Sequence, residues 1–133
     1  MAYVLDTSAV LAVLLAEPGY EKVTEILAQA DGDGDQDVLL PFMALMEMQY
    51  RLLRDLPSGD ALAAVRLVEA WPVKVVESGP LWRQRAAGLK SRGGLSVADA
   101  WIASLALLHD AQLVHKDPEF DTVKGLRSHR LPD

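Results

Sequence analysis

The chain has 133 residues, half of them apolar, a formal net charge of −6 and no cysteine. A length of this order is typical of one compact domain, so a single domain over residues 1–133 is expected. The lack of cysteine excludes disulfides, thiolate metal sites and cysteine nucleophiles. No apolar run reaches the roughly 18 to 20 residues of a membrane span, and the N-terminal MAYVLDTS lacks the features of a signal peptide. A cytoplasmic protein without a membrane partner is therefore expected.

The charge is distributed unevenly along the chain. Residues 1–80 carry a balance of −8 and residues 81–133 a balance of +2. An acidic total argues against tight, nonspecific binding to nucleic acid. Carboxylates that converge on a divalent metal, however, present much less negative charge to a phosphate. The net charge is therefore only weak evidence against a nuclease.

The N-terminal third alternates strand and helix. Residues 2–5 (AYVL) form a β-rich run, and Asp6-Thr7-Ser8 offers helix N-cap chemistry before AVLAVLLA. Pro18-Gly19 breaks this helix, and residues 20–30 are predicted to form a second, amphipathic one. Residues 31–37 (DGDGDQD) are predicted to be a solvated loop, followed by a short buried strand at residues 38–40. The loop does not match a calcium-binding EF-hand, because Gln36 and Phe42 stand where glycine and glutamate are required.

The rest of the chain continues this alternation of helices and strands. The predicted helices are residues 42–55, 60–70, 80–90 and 96–109; the predicted strands are residues 73–76, 111–115 and 128–131. Strands separated by helices imply an α/β fold with a mostly parallel sheet covered on both faces. Ligands bind beyond the carboxyl ends of such strands. Asp6 and Asp117 each follow a predicted strand and are therefore candidates for one shared site.

Three of the aspartates also have a simpler interpretation as helix caps. Asp6 precedes a helix, Asp99 lies three residues after Ser96 as in a capping box, and Asp117 precedes a proline that can open a helix. The i+3 and i+4 neighbours of Asp99 are apolar, which favours an inward-pointing side chain.

Glu47 is harder to explain as a surface residue. It lies in the middle of a helix, with Met43 and Ala44 on its own face. Its simpler interpretation is an i,i+4 ion pair with Arg51, worth only about 0.3–0.5 kcal/mol if exposed. Four acids in apolar surroundings together favour a metal site over four separate structural roles.

The ligand chemistry favours Mg²⁺ or Mn²⁺ over Zn²⁺. The candidate ligands Asp6, Glu47, Asp99 and Asp117 supply hard carboxylate oxygens, and the chain has no cysteine and no histidine pair at ligand spacing. Such a metal can orient and acidify water and stabilise the charge that grows on a phosphate. The pattern therefore predicts phosphodiester hydrolysis.

Three segments resemble the four motifs of PIN domains. LDTSAVLAVLLAEPG resembles their opening, LPFMALMEMQYRL their second motif, and LSVADAWIASLALLHDAQLVHKDPEF their third and fourth. The order and spacing match over essentially the whole chain, and the compact length resembles VapC toxins. The resemblance implies a three-layer α/β/α domain with Asp6, Glu47, Asp99 and Asp117 in an acidic pocket and Ser8 beside it. It also implies an endoribonuclease toxin that forms a homodimer and is inhibited by a cognate antitoxin.

The chain departs from this family at His115. Many relatives have Thr or Ser two residues before the last aspartate. A histidine there can fill the same hydrogen-bonding role, bind metal or simply end the strand, and the sequence leaves these alternatives open.

The basic residues and the tryptophans say less about function than the acids do. The basic residues Arg83, Arg85, Lys90 and Arg92 are either a solvated helix face or a contact for RNA phosphates. The tryptophans are expected in the core or at a dimer contact.

A catalytically silent PIN fold that binds RNA or protein is the alternative to the ribonuclease. An aspartyl-phosphate phosphatase is disfavoured, because Ser8 stands where a second aspartate is expected.

Overall fold

A five-stranded sheet forms the centre of the molecule. The computed structural model of the protein describes residues 1–32 and 34–133. The strands are β1 (Ala2–Leu5), β2 (Asp37–Pro41), β3 (Lys74–Val76), β4 (Gln112–His115) and β5 (Ser128–Arg130). They lie in the order β3-β2-β1-β4-β5, and every neighbouring pair is parallel. The predicted α/β fold with a parallel sheet is confirmed.

In the described part of the chain, six α-helices connect the strands. They are α1 (Thr7–Leu14), α2 (Tyr20–Gly32), α3 (Phe42–Leu53), α4 (Ser58–Glu69), α5 (Pro80–Ser91) and α6 (Val97–Leu108). A short 3₁₀ helix, Pro118–Thr122, follows β4, and Asp117 caps it. Most bounds differ from the predicted ones by one or two residues.

The predicted loop at residues 31–37 is shorter than expected. Asp31 and Gly32 end α2, and Asp37 begins β2; Asp33 lies outside the described residues. Asp37 extends the strand because its amide donates to the Met1 carbonyl at 3.0 Å, and its carboxylate pairs with Lys74 on β3 at 2.8 Å. A local excess of turn formers was outweighed by these contacts with neighbouring strands.

Alternating side chains of the strands build a separate core on each face of the sheet. On β1, Tyr3 and Leu5 pack in the core covered by α1–α4, whereas Val4 packs in the core covered by α5 and α6. This alternation is what a period of two residues per strand dictates. The predicted three-layer α/β/α architecture is thus confirmed.

Aromatic rings pack together in the core covered by α5 and α6, which we call the second core. Trp82 is buried, and its indole N–H donates to the Trp101 carbonyl at 2.8 Å and to the Ser104 hydroxyl at 2.9 Å. Its ring packs edge-to-face against Phe42 and Trp101. Trp71 packs against the other core, the one covered by α1–α4, which we call the first core.

Within the described residues, no helix is long and apolar enough to cross a bilayer.

The strand order places a crevice at the carboxyl ends of β1 and β4. From β1 the chain moves outward on one side to β2 and β3, then crosses to β4 and β5 on the other side. Neighbouring strands that lead to opposite sides leave a gap between their outgoing connections, and ligands bind in such gaps. Asp6 and Asp117 follow β1 and β4.

Candidate active site

The four predicted carboxylates line one cleft of about 380 Å³ at this crevice. Asp6 follows β1, Glu47 lies on α3, Asp99 lies in the first turn of α6, and Asp117 follows β4. The cleft is lined by Asp6, Thr7, Ser8, Glu47, Arg51, Ser96, Ala98, Asp99, Lys116, Asp117 and Pro118. Four acids that are distant in sequence are therefore brought together by the fold.

Asp6 caps α1 and lines the cleft at the same time. Its side chain is 9% exposed, and Oδ2 accepts hydrogen bonds from the Ser8 amide at 3.3 Å and the Ser8 hydroxyl at 2.6 Å. Its own amide donates to the Val114 carbonyl at 3.0 Å, which ties the end of β1 to β4. The cap interpretation and the site interpretation are thus compatible.

Ser8 joins the two strand ends. Its hydroxyl donates to Asp6 and accepts a hydrogen bond from the Lys116 amide at 3.2 Å. Ser8 and Lys116 are 108 residues apart in sequence. The hydroxyl thus fixes the backbone just before Asp117 relative to the Asp6 carboxylate.

Glu47 is held by α1 rather than by its helical neighbour. The Thr7 hydroxyl donates to Glu47 Oε1 at 3.0 Å, and the glutamate side chain is half-buried. Among the described residues, Glu47 and Arg51 form no ion pair. The surface-pair interpretation of Glu47 is therefore wrong.

Asp99 lies in the first turn of α6, in the same cleft as the other acids. The Ser96 hydroxyl accepts a hydrogen bond from the Asp99 amide at 3.1 Å, which caps α6. Gly93 and Gly94 precede this cap, and both have positive φ, so they allow the turn from α5 that aims α6 at the cleft. Burial, then the nearby charges of Asp6 and Asp117, raise the pKa of the Asp99 carboxyl to about 6, while the Ser96 hydrogen bond opposes the shift.

Asp117 caps the 3₁₀ helix and is fixed from both sides. Its Oδ1 accepts a hydrogen bond from the Glu119 amide at 2.9 Å. Its own amide donates to His115 Nδ1 at 3.1 Å. His115 is fully buried at the end of β4, and burial lowers the pKa of its imidazole. Its Nε2 has no hydrogen-bond partner among the described residues.

The tightest acidic group differs from the predicted metal ligands. One carboxylate oxygen from each of Asp99, Asp117 and Glu119 lies within 4.8 Å of the others. Asp6 and Glu47 line the same cleft but are not part of this trio. Three hard oxygen donors, together with the raised pKa of Asp99, fit a small divalent cation such as Mg²⁺ or Mn²⁺.

Sequence reasoning missed Glu119 as a candidate ligand. It is exposed on the 3₁₀ helix, two residues after Asp117. From the sequence, Asp117 and Pro118 are interpreted only as a cap and the start of a helix. The second carboxylate of this segment, on Glu119, was the signal that a longer ligand set was available.

The predicted basic residues do not line this cleft. Arg83, Arg85, Lys90 and Arg92 are exposed on or just after α5, where they line other hollows of the surface. Over residues 1–32 and 34–133, the cations that line the cleft are Arg51 and Lys116. The Lys116 ammonium lies 3.6 Å from Glu17, and its side chain is 18% exposed. Lys116 stands directly before Asp117, a proximity that could have identified it.

The family model of the PIN domain matches residues 3–126 of the chain. A search of curated proteins finds no match.

Three of the solved structures that resemble this chain cover nearly all of it. VapBC2 from Rickettsia felis, bound to a DNA fragment from its promoter, has a TM-score of 0.79 at 19% identity, covering 99% of this chain and 100% of that one. DNA-bound VapBC from Salmonella typhimurium has a TM-score of 0.78 at 18% identity, covering 98% of each chain. VapBC-5 from Mycobacterium tuberculosis, a member of the VapBC family of toxin-antitoxin systems, has a TM-score of 0.64 at 20% identity, covering 98% of each chain. At these identities the likeness establishes a shared fold.

Proposed function

Because the chain belongs to the PIN domain family, we propose that it is an endoribonuclease that hydrolyses RNA phosphodiester bonds with Mg²⁺ or Mn²⁺. The proposed ligands are Asp6, Glu47, Asp99 and Asp117, together with Glu119. A single observation carries the proposal: these acids, from separate elements, line or border one cleft at the carboxyl end of a parallel sheet.

The electrostatics of the cleft support a cation. Burial, and then the charges of Asp6, Asp117 and Glu47, raise the pKa of Asp99. Like charges held this close are costly without a counterion, and a divalent cation would relieve the repulsion. A bound Mg²⁺ would supply an acidified water and stabilise negative charge on the phosphate.

The chain's own residues would orient the substrate and the ligands. Ser8 and Thr7 hold the Asp6 and Glu47 carboxylates through hydrogen bonds of 2.6 and 3.0 Å. Arg51 and Lys116 line the cleft and would attract an RNA phosphate toward the acids. These two cations, together with a bound metal, would offset part of the carboxylate charge and so make the net charge of −6 compatible with RNA binding.

We propose further that the protein acts in the cytoplasm as a VapC-type toxin, in a homodimer that is inhibited by a cognate antitoxin. The similar VapBC structures support this assignment. Met46, Tyr50 and Leu53 support a protein partner, because they are exposed at i, i+4 and i+7 on α3.

Cleavage of total RNA by the purified protein, with Mg²⁺ and with EDTA, tests the proposed activity. The matched variants are Asp6→Asn and Glu69→Gln. Asparagine can still cap α1, so Asp6→Asn should fold yet lose cleavage, whereas Glu69→Gln changes an exposed acid on α4 and should cleave normally. Cleavage that survives EDTA or Asp6→Asn would contradict the proposal. A folded wild-type protein that binds RNA without cleaving it would favour the silent binding module.

A further inference from the structure

We propose that His115 is a positioning residue whose Nδ1 fixes the backbone that supplies the Asp117 and Glu119 carboxylates to the cleft. The inference rests on the proposed function. It answers which of the roles left open by the sequence His115 fulfils.

The hydrogen bond defines the state of the ring. The Asp117 amide donates to His115 Nδ1 at 3.1 Å, so Nδ1 carries no proton and cannot also bind a metal. The neutral ring then carries its proton on Nε2. This protonated nitrogen is buried, has no partner in the described part of the chain and does not belong to the clustered group of Asp99, Asp117 and Glu119.

The position of His115 is fixed by contacts on several sides. Its side chain is 0% exposed, and its carbonyl accepts a hydrogen bond from the Leu131 amide at 2.7 Å. Its ring packs edge-to-face on Phe120, with the centroids 4.9 Å apart. Phe120 itself is buried in the second core. The ring is therefore a rigid support rather than a mobile side chain.

These two contacts span the segment that carries the ligands. His115 binds the amide of Asp117 and packs on Phe120, and Glu119 lies between them. The Glu119 amide in turn donates to Asp117 Oδ1 at 2.9 Å. Two of the three clustered carboxylates thus depend on a segment that is held at both ends by one imidazole.

The unpaired Nε2 distinguishes positioning from simple packing. A buried N–H without a partner is costly, and an apolar side chain of similar size would avoid that cost. If His115 merely filled the core, His115→Leu would leave the cleft unchanged and the fold at least as stable. A positioning role predicts instead that the ligand geometry suffers while the fold persists.

Two amide variants provide a matched pair. Asparagine can place an acceptor near the position of Nδ1, whereas the longer glutamine places its amide near that of Nε2. We expect His115→Asn to bind Mn²⁺ within about twofold of wild type, and His115→Gln and His115→Leu to bind at least about tenfold more weakly. Mn²⁺ binding is measured by electron paramagnetic resonance, and melting temperatures are measured in parallel.

A second readout needs no metal. In the metal-free protein, the Asp117 amide resonance should keep its chemical shift in His115→Asn and move upfield in His115→Gln, because the hydrogen bond is lost only in the latter. Wild-type Mn²⁺ affinity in a folded His115→Leu or His115→Gln protein would overturn the inference. If His115→Leu does not fold, the asparagine and glutamine pair decides.

The outcomes separate this inference from the proposed function. A wild-type protein that binds Mn²⁺ but cleaves no RNA contradicts the proposed ribonuclease activity. The Mn²⁺ affinities of the variants and the chemical shift of the Asp117 amide then still test the positioning role of His115. A wild-type protein that binds no Mn²⁺ overturns both.

Discussion

The Thr7 hydroxyl donates a hydrogen bond to Glu47 Oε1 at 3.0 Å. The two residues are 40 positions apart in sequence, and their contact connects α1 with α3. Thr7 is 2% exposed, at the start of α1 beside Asp6. The contact orients Glu47 toward the cleft that the other acids share. The position of this glutamate therefore depends on a hydroxyl group outside its own helix.

Replacing Thr7 should reduce RNA cleavage through Glu47. Thr7→Val keeps the side-chain volume but removes the donor, so we expect about tenfold slower cleavage and a loss of about 1 kcal/mol in the free energy of unfolding. Thr7→Ser keeps the hydroxyl and is the matched control. Initial cleavage rates and urea denaturation provide the measurements. Equal rates for the valine and serine variants would show that the hydrogen bond does not matter.

The stability of the metal-free protein should fall as the pH rises through the titration range of Asp99. Its pKa of about 6 lies above the ordinary value of 3.8, so between these pH values the folded chain binds more protons than the unfolded chain. The unfavourable contribution of ionised Asp99 is therefore fully present above about pH 6 and is relieved toward the ordinary pKa.

Asp99→Asn should remove this contribution. We expect it to raise the free energy of unfolding in EDTA at about pH 7.5 by about 1 kcal/mol, after allowance for solvent screening, and by less at about pH 4.5. Asp60→Asn is the matched control, because Asp60 is exposed at the same position of the first turn of α4 and should lose a little stability. Urea denaturation at both pH values measures the effect, and a destabilised Asp99→Asn protein at the higher pH would refute it.

Glu119 should contribute to metal binding although it is exposed. Its carboxylate lies in the trio with Asp99 and Asp117, so Glu119→Gln should weaken Mn²⁺ binding about tenfold. The substitution retains the Glu119 amide and its hydrogen bond to Asp117. Isothermal titration with Mn²⁺, with Glu69→Gln as the control, measures the change. An unchanged dissociation constant would restrict the site to the four acids predicted from sequence.

Arg51 should affect RNA binding more than the basic residues of α5. Arg51 lines the cleft, whereas Arg83 lies beside a hollow near Trp101. Arg51→Gln should raise KM about three- to tenfold with little change in kcat, and should reduce the slope of log KM against log salt by about 0.7 for one lost phosphate contact. Steady-state cleavage of a labelled RNA at several salt concentrations measures both. A larger effect of Arg83→Gln would instead place the RNA along α5.

The sequence by itself determined the features that depend on neighbouring residues. Short β-rich and apolar runs specified the strands, and Asp6, Ser96 and Asp117 specified where helices begin, because a cap forms within two or three residues. The order of strands and helices then implied a parallel sheet with Asp6 and Asp117 at its carboxyl edge. The four candidate acids followed from this local information and from the family resemblance.

Only the tertiary structure decided which side chains share the cleft and what each one contacts. Glu47 binds Thr7 rather than Arg51, Glu119 joins Asp99 and Asp117, and the predicted α5 cations lie away from these acids. Strand register and helix packing set such contacts, some of them over long separations: 40 residues for Thr7–Glu47 and 108 for Ser8–Lys116. Local patterns carry no record of such distances, because the partners approach one another only when the sheet and its helices have packed.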